Sequence, residues 1–344
     1  MIRRRYHHCL SCKKYSYPVE ATLGLPKKYT NGSKRMVARC VGQTSYDIAK
    51  GNLAELCQIN LSPTTIGKIA DETAGEIAER LANHPDVRRH FQQAKGETEF
   101  YADGAFVHIL NDDDIREWRE FKLGAFAKRL NGPFALPSEW ATRKFPKPTA
   151  VYAFASIVNK EGFQELCQQV RRTLGVGGVS SALGDGAKWI WNVVREVFGK
   201  TEECLDIYHG AEHISDCGKV LFGESASKEW FERMRLVLLS EGFSGMEREL
   251  SLLLSGKLKK SERAKVTLLL EYLRHNSERL KYAERLASGR AIGSGLIESA
   301  CKSLVGKRLK QTGACWRLTR VNRIATLCAA LYSNQWETAW KNTH

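Results

Sequence analysis

The sequence lacks any apolar run that approaches the roughly 18 residues a membrane-spanning helix needs. Its 10 cysteines are scattered along the chain and do not form the paired framework of a secreted disulfide-rich domain. The first residues also lack an apolar secretory signal. These absences exclude a membrane protein and a disulfide scaffold, and they predict a soluble protein in the reducing cytoplasm.

Acidic residues are scarce in two stretches. Glu20 is the one acid among the first 40 residues, and residues 299–323 have none. The whole chain carries 53 lysines and arginines against 38 acids, a formal net charge of +15. Because this excess is clustered, it favours a polyanionic partner, and DNA is the leading candidate. We therefore expect the protein to associate with the nucleoid.

The basic segment 1–40 contains the spacing Cys9-x-x-Cys12, which supplies half of a tetrahedral zinc site. A second Cys-x-x-Cys does not occur further along the sequence. Two interpretations stay open. Either the chain begins inside a zinc ribbon whose first ligand pair is missing, or the two cysteines bind no Zn²⁺.

Residues 41–96 predict a small helical region. Ser45 is placed to cap one helix, and Ser62-Pro63 is a typical start for the next. Two helices joined by a short turn fit a helix-turn-helix, with the DNA-facing residues Thr64, Thr65 and Lys68. An ordinary helical hairpin is the alternative.

From residue 97 the periodicity predicts a sheet, in the order strand, strand, strand, helix, strand, helix, strand. The predicted strands are residues 99–109, 117–126, 150–155, 179–184 and 204–209, and the helices are 163–174 and 188–198. This order is that of a ribonuclease H-like mixed sheet, in which the first and fourth strands are neighbours.

The predicted fold class is therefore α/β (α+β). Residues 97–211 and 291–344 form the ribonuclease H-like core, and residues 212–290 form an all-helical insertion, because they are rich in Leu, Glu, Lys and Arg. The helix-turn-helix region precedes this core.

Three carboxylates occupy unusual positions. Asp103 lies inside the first strand, Asp185 ends the fourth, and Glu298 lies in the first turn of a helix. A carboxylate in a central strand costs free energy unless it is paired or binds a cation. Two Mg²⁺ (or Mn²⁺) ions about 3.5–4 Å apart, held by such carboxylates, support phosphodiester cleavage. The three acids therefore predict a metal-dependent DNA-cutting site.

Other polar residues accompany the three acids. His209, in the pattern Asp206-x-x-His209, either orients a phosphate or water at the site or is a satisfied core histidine. The acid-free stretch predicts a phosphate-binding stripe beside Glu298. Its basic residues are Lys302, Lys307, Arg308, Lys310, Arg317, Arg320 and Arg323.

Together these motifs resemble those of bacterial insertion-sequence DDE transposases of the ISKra type. The matching pieces follow the family's order along the chain. They are Cys9-Leu10-Ser11-Cys12, Tyr17-Pro18, Leu23-Gly24-Leu25, Asp103-Gly104, Trp118-Arg119-Glu120-Phe121-Lys122, the run Gly184 to Trp191, the run Asp206 to His213, the run Gly293 to Ser299, and the tail Trp316-Arg317 through Trp336 and Trp340.

The resemblance implies that Asp103, Asp185 and Glu298 form a catalytic triad on a ribonuclease H-like core, with a helical insertion between the second and third acids. The DNA partners it implies are terminal inverted repeats and target DNA. Because two element ends must be held together, a homodimer or higher oligomer is expected. Family members usually have another cysteine pair ahead of Cys9, so a shortened N-terminus is expected here.

Two alternatives to an active transposase remain. One is a truncated, non-catalytic DNA-binding protein that represses its own element, which the basic N-terminus and helix-turn-helix would support. The other is a related ribonuclease H-like nuclease that resolves branched DNA. Substrate choice and metal dependence separate the three hypotheses.

Overall fold

The computed structural model describes residues 6–16 and 29–341. Several sequence features lie outside these ranges, among them Arg3, Arg4, Arg5, Lys27 and Lys28 of the basic segment and the motif pieces Tyr17-Pro18 and Leu23-Gly24-Leu25. The described part is a mixed α/β protein with one six-stranded mixed sheet, as the sequence predicts at that level. In that part, no helix combines the length and apolarity needed to cross a bilayer.

Among the described N-terminal residues, 6–16 form a two-stranded ribbon, β1 (His7–His8) and β2 (Tyr15–Ser16), and residues 29–93 contain four helices. The helices are α1 (Asn31–Gln43), α2 (Tyr46–Cys57), α3 (Pro63–Asn83) and α4 (Pro85–Gln93). Ser45 and Ser62 cap α2 and α3 as predicted, and Thr30 caps α1 in the same way. Helix α1 crosses the predicted domain boundary at residue 40 and packs on α3.

The sheet contains the five predicted strands, with the order β5-β4-β3-β6-β7. They are β3 (Glu97–Leu110), β4 (Arg116–Arg129), β5 (Ala150–Ser156), β6 (Ser181–Gly184) and β7 (Glu202–Leu205). The crossovers are α5 (Lys160–Leu174) and α6 (Lys188–Phe198). Strands β3, β4 and β5 are antiparallel, whereas β6 pairs in parallel with both β3 and β7. The prediction that the first and fourth strands are adjacent is confirmed, because β3 pairs with β6.

The fifth strand is shorter than predicted. The expected strand 204–209 ends at Leu205, and Asp206 caps a helix that begins at Ile207. The Asp206 carboxylate accepts a hydrogen bond from the backbone N–H of Tyr208 at 3.2 Å, which turns the chain into helix. The prediction that His209 ends a strand is therefore wrong, because His209 lies in the first turn of this helix.

The predicted insertion is helical throughout most of its length. It consists of α7 (Ile207–Ser255), α8 (Lys260–His275) and α9 (Tyr282–Ala287). Helix α7 bends at Gly223 and Gly242, whose φ angles of 76° and 58° lie in the left-handed region. These bends let α7 fold along α8, with which it packs.

The C-terminal part returns to the sheet through α10 (Gly295–Cys301), a π-helical turn Lys302–Gly306, a helical turn Lys307–Leu309, and strand β8 (Trp316–Arg317). Strand β8 pairs in parallel with the far end of β3. The last helices are α11 (Leu318–Tyr332) and α12 (Trp336–Ala339). Helix α11 packs against β5, α1 and α3, and so joins the N-terminal helices to the sheet.

The close packing between Gly124, at the centre of β4, and Phe154 of β5 can be tested by substitution. An added Cβ at Gly124 would lie 2.4 Å from the Phe154 ring, whereas one at Gly51 on α2 would meet nothing within 4 Å. We predict that Gly124→Ala destabilises the protein by about 1–3 kcal/mol through overpacking. Gly51→Ala should stabilise it by about 0.5–1 kcal/mol, because alanine is the better helix former. Urea unfolding of both variants measures this, and equal midpoints would contradict the packing.

Candidate catalytic site

The site begins where two parallel strands end their pairing. Ala102 of β3 pairs with Gly184 of β6. Asp103 follows Ala102 in the sequence, and Asp185 follows Gly184. Neighbouring strands lie about 4.8 Å apart, so this register places the two aspartates side by side. The structure therefore brings together two predicted site residues that are 185 − 103 = 82 positions apart in sequence.

Asp103 is held by hydrogen bonds from two sides. Its Oδ1 accepts the backbone N–H of Gly104 at 2.7 Å, and its Oδ2 accepts the Cys301 thiol at 3.1 Å. Burial raises the pKa of Asp103, the two hydrogen bonds oppose that rise, and the negative charge of Asp185 adds to it. A buried carboxyl with an acidic neighbour is a site where a cation would be favourable.

Glu298 reaches the same region on α10. It lies one turn before Cys301, whose thiol contacts Asp103, and its side chain is 38% exposed. Lys302 Nζ lies 4.0 Å from the Glu298 carboxylate. Over residues 6–16 and 29–341, no group of three His, Cys, Asp or Glu side chains is arranged to hold a metal ion. Glu298 therefore shares the helix whose Cys301 contacts Asp103, but the three acids do not form a metal-holding group in the described residues.

The three carboxylates nevertheless suit a hard divalent cation. Mg²⁺ and Mn²⁺ prefer carboxylate oxygens and water as ligands. The Cys301 thiol next to Asp103 is not a ligand that Mg²⁺ favours. Burial raises the pKa of this thiol, and the negative charge of Asp103 adds to the rise. A divalent cation at Asp103 would therefore compete with the thiol hydrogen bond for the same carboxylate.

A residue that the sequence did not single out positions Glu298. Asp206 is fully buried, and its carboxylate accepts the backbone N–H of Ser294 at 3.1 Å and the Ser294 hydroxyl at 2.7 Å. The backbone N–H of Ile207 also donates to the Ile292 carbonyl at 3.0 Å. Together these bonds fix the loop that leads into α10. In the sequence Asp206 stands in the pattern Asp206-x-x-His209, but no local signal identifies Ser294, 88 positions away, as its partner.

His209 lies at the edge of this region. Its Nε2 is 4.0 Å from Asp206 Oδ2, its Nδ1 is 3.9 Å from Glu212 Oε2, and its side chain is 35% exposed. A positive charge on His209 lowers the pKa of Asp103. Its position near the aspartates is compatible with a role toward phosphate or water, which stays a prediction.

One member of the predicted phosphate-binding stripe is structural. Arg308 is 2% exposed, donates to the Val41 carbonyl at 2.7 Å, and lies over the rings of Trp316 and Tyr46. The prediction that Arg308 contacts DNA is wrong, because this side chain is enclosed between the N-terminal helices and the C-terminal part.

The remaining stripe divides into arginines with partners and exposed lysines. Arg317 donates to the Asn111 carbonyl at 2.7 Å and pairs with Asp114, and Arg320 pairs with Asp71 at 3.0 Å. The exposed lysines are Lys302, Lys307 and Lys310. Among the described residues of the stripe, Lys307 and Lys310 are exposed and have no ion-pair partner, whereas Lys302 lies 4.0 Å from Glu298 and Arg323 is half-buried.

On α3 the predicted DNA-facing residues remain accessible at the helix start. Thr64 and Lys68 are exposed, whereas the Thr65 hydroxyl is within hydrogen-bond distance, 2.9 Å, of the capping Ser62 hydroxyl. The rest of α3 is largely covered, because α1 and α11 pack against it. At the start of α3, Thr64 and Lys68 are therefore accessible to a partner.

Cys9 and Cys12 lie in the turn of the exposed ribbon. The Cys12 backbone N–H donates to the Cys9 sulfur at 3.4 Å, and this bond lowers the pKa of the Cys9 thiol. The geometry suits two ligands of a Zn²⁺ ion. The described residues bring no third or fourth ligand to the pair.

Known proteins give no family assignment for this chain. No protein-family model matches the sequence, and no curated protein matches it. The resemblance to transposases therefore stays a prediction. The functional case depends on where Asp103, Asp185, Glu298 and Asp206 lie in the fold.

The contact between Asp206 and Ser294 can be tested directly. We predict that Asp206→Asn and Ser294→Ala each destabilise the protein by about 1–3 kcal/mol, because each leaves buried polar groups without partners. Amide hydrogen exchange should accelerate most in residues 292–301. Asp216→Asn, on the exposed side of α7, is the control, and uniform acceleration along the chain would contradict a local role.

The buried carboxyl of Asp103 predicts a pH effect. A folded-state pKa above the unfolded value stabilises the fold at acidic pH, and that stabilisation is lost as the pH rises through the folded pKa. In EDTA, Asp103→Asn should therefore gain thermal stability relative to wild type as the pH increases from acid to neutral. The exposed Asp112→Asn is the control. A melting-temperature difference that does not change with pH would contradict this prediction.

Proposed function

We propose that this protein is a DNA transposase that uses divalent metal ions to cleave and join DNA strands at the ends of an insertion sequence. The observation that carries the proposal is the register of β3 and β6, which sets Asp103 beside Asp185 at the end of one ladder. The approach of α10, with Glu298 one turn from the thiol that contacts Asp103, supports it.

The sheet supports the same proposal. Three antiparallel strands are followed by two parallel strands, with the first strand of the sheet in the centre. A ribonuclease H-like sheet has this order and these directions. The helical insertion between β7 and α10 also agrees with the domain arrangement that the resemblance implies.

In this proposal the three acids share one role. Asp103, Asp185 and Glu298 would together hold the Mg²⁺ or Mn²⁺ ions. The metal ions would activate the attacking oxygen and stabilise the leaving oxygen of an in-line displacement. Asp206 would act as a positioning residue that holds the α10 loop through Ser294, and His209 would face the phosphate from the side of α7.

The DNA contacts are proposed for two surfaces. The open N-terminal turns of α3, with Thr64 and Lys68, would enter a groove of the terminal inverted repeat. The lysines Lys302, Lys307 and Lys310 would neutralise phosphates beside Glu298. Two element ends would require at least a homodimer.

The proposal predicts metal-dependent nicking of a supercoiled plasmid that carries the coding region with its flanking DNA. In the presence of Mg²⁺ or Mn²⁺, each of the variants Asp103→Asn, Asp185→Asn and Glu298→Gln should lower the nicking rate by more than about 100-fold. Loss of a residue that only supports a metal ligand costs up to about 100-fold, and loss of the ligand itself should cost more. Gel analysis of nicked and linear products measures the rate.

The control variant is Asp112→Asn, which alters an exposed acid in the hairpin loop and should cut as wild type does. Full activity in any of the three site variants would refute the triad. Specific binding of the flanking DNA without cleavage by the wild-type chain would favour the non-catalytic repressor. Cleavage of four-way junctions in preference to the flanking DNA would favour the branched-DNA nuclease.

A further inference from the structure

A groove opens between α6 and α8, directly after the second aspartate of the site. Its volume is about 440 Å³, and it begins at Gly186, the residue that follows Asp185. We name it the Tyr272 groove and define it by the lining residues Gly186, Lys188, Trp191, Tyr272, His275 and Arg279. Because α6 belongs to the sheet domain and α8 to the insertion, both parts of the fold form it.

Tyr272, which forms one wall of the groove, lies against the loop that follows Asp185. A Cβ at Gly186 would lie 2.6 Å from Tyr272 Cε2 and 2.9 Å from its hydroxyl oxygen, so the hydroxyl edge of the ring lies against the backbone beside Asp185. One face of Tyr272 packs against His213, with ring centroids 3.9 Å apart. Burial, and then the charge of Asp185, raises the pKa of Tyr272, so its hydroxyl stays protonated and can donate.

The opposite wall and the floor carry positive charge. Arg279 lies over the Trp191 ring, 4.4 Å from its centroid, and donates to Glu203 at 2.7 Å. Arg195 shares the same acid at 3.0 Å. Lys188 is exposed and has no ion-pair partner among the described residues. The residues that line the groove therefore include the three cations Lys188, Arg195 and Arg279 and no acid. Glu203 pairs with the two arginines from outside the lining, and the charges of Asp185, Asp206 and Glu212 also act on Tyr272.

From this arrangement we infer that the Tyr272 groove binds a single strand of DNA next to the carboxylate site. Lys188 would contact a phosphate, and a base would stack on Tyr272. Positive grooves lined by aromatic rings are the usual means of binding single strands without sequence preference. The inference rests on the proposed function, since the strand would run from the scissile phosphate past Gly186.

The dimensions favour a single strand over a duplex. A volume of 440 Å³ is within the roughly 300–1,000 Å³ of small-ligand sites, so it has room for about one nucleotide. A double helix cannot enter, because its major groove alone is about 12 Å wide. The groove therefore predicts that one strand separates from its partner beside the site.

The first test measures binding in EDTA by fluorescence anisotropy, with a labelled oligothymidylate of about 12 nucleotides, a length within the usual site sizes. Lys188→Ala should weaken binding and reduce the slope of log K against log salt by about 0.7, as expected for one lost phosphate contact on a single strand. Lys200→Ala, an exposed lysine beyond the other end of α6, is the charge-matched control and should change neither quantity.

The second test concerns the aromatic wall. Tyr272→Ala should weaken oligothymidylate binding by about 5- to 150-fold, the range for losing one stacked base, whereas Tyr272→Phe should keep most of it. Circular dichroism and thermal melting of each variant establish that it is folded. A photo-cross-link from 5-iododeoxyuridine should map to residues 272–275 or 188–191, a readout that does not depend on any substitution.

Several results would overturn the inference. These are equal losses for Lys188→Ala and Lys200→Ala, wild-type affinity in Tyr272→Ala, or a cross-link elsewhere. A loss for duplex DNA as large as that for oligothymidylate would assign the surface to duplex phosphates instead. Because no metal is used, the groove is tested separately from cleavage. The wild-type protein should bind the oligonucleotide in EDTA even if the proposed transposase activity is absent.

Discussion

The parallel pairing of β3 with β6 is the contact on which the rest of the site depends. Four residue pairs, from Glu99–Ser181 to Ala102–Gly184, set the register. A shift of one residue would turn Asp103 to the opposite face of the sheet, because side chains alternate along a strand. The buried apolar residues on both strands, including Phe100 and Leu183, resist such a shift. The core therefore determines the geometry of the acidic pair.

A second constraint connects the insertion to the third acid. Asp206 starts α7, and its buried carboxylate is bonded to Ser294, which comes directly before α10. The chain between them contains the whole helical insertion, yet its two ends are joined at this carboxylate. A large insertion is tolerated here because both ends return to one place. Motion of the insertion relative to the sheet would thus be transmitted to Glu298 through this contact and to Asp185 through Tyr272.

Much of this arrangement was predictable from the sequence, because local signals agreed with the fold. The caps at Ser45 and Ser62, the alternation around Asp103 and the helical period of 188–198 all identify their elements correctly. Other features depend on tertiary contacts that have no local signal. The end of β7 at Leu205 depends on a capping carboxylate whose other partner, Ser294, is 88 positions away. The contact between the Cys301 thiol and Asp103 spans 198 positions.

The different positions of arginines and lysines in the basic stripe are a further consequence of packing. The positive charge of residues 299–323 alone predicted a uniform phosphate-binding stripe. The free-energy cost of burial, however, differs between arginine and lysine. The planar guanidinium can stack on rings and donate several hydrogen bonds, so it serves as a contact between domains. Arg308 does this against Trp316, Tyr46 and the Val41 carbonyl, and Arg320 does it against Asp71. The ammonium group of lysine is more strongly hydrated and stays at the surface. The fold therefore uses arginines to attach the N-terminal helices to the sheet and the C-terminal part, and it leaves lysines at the surface.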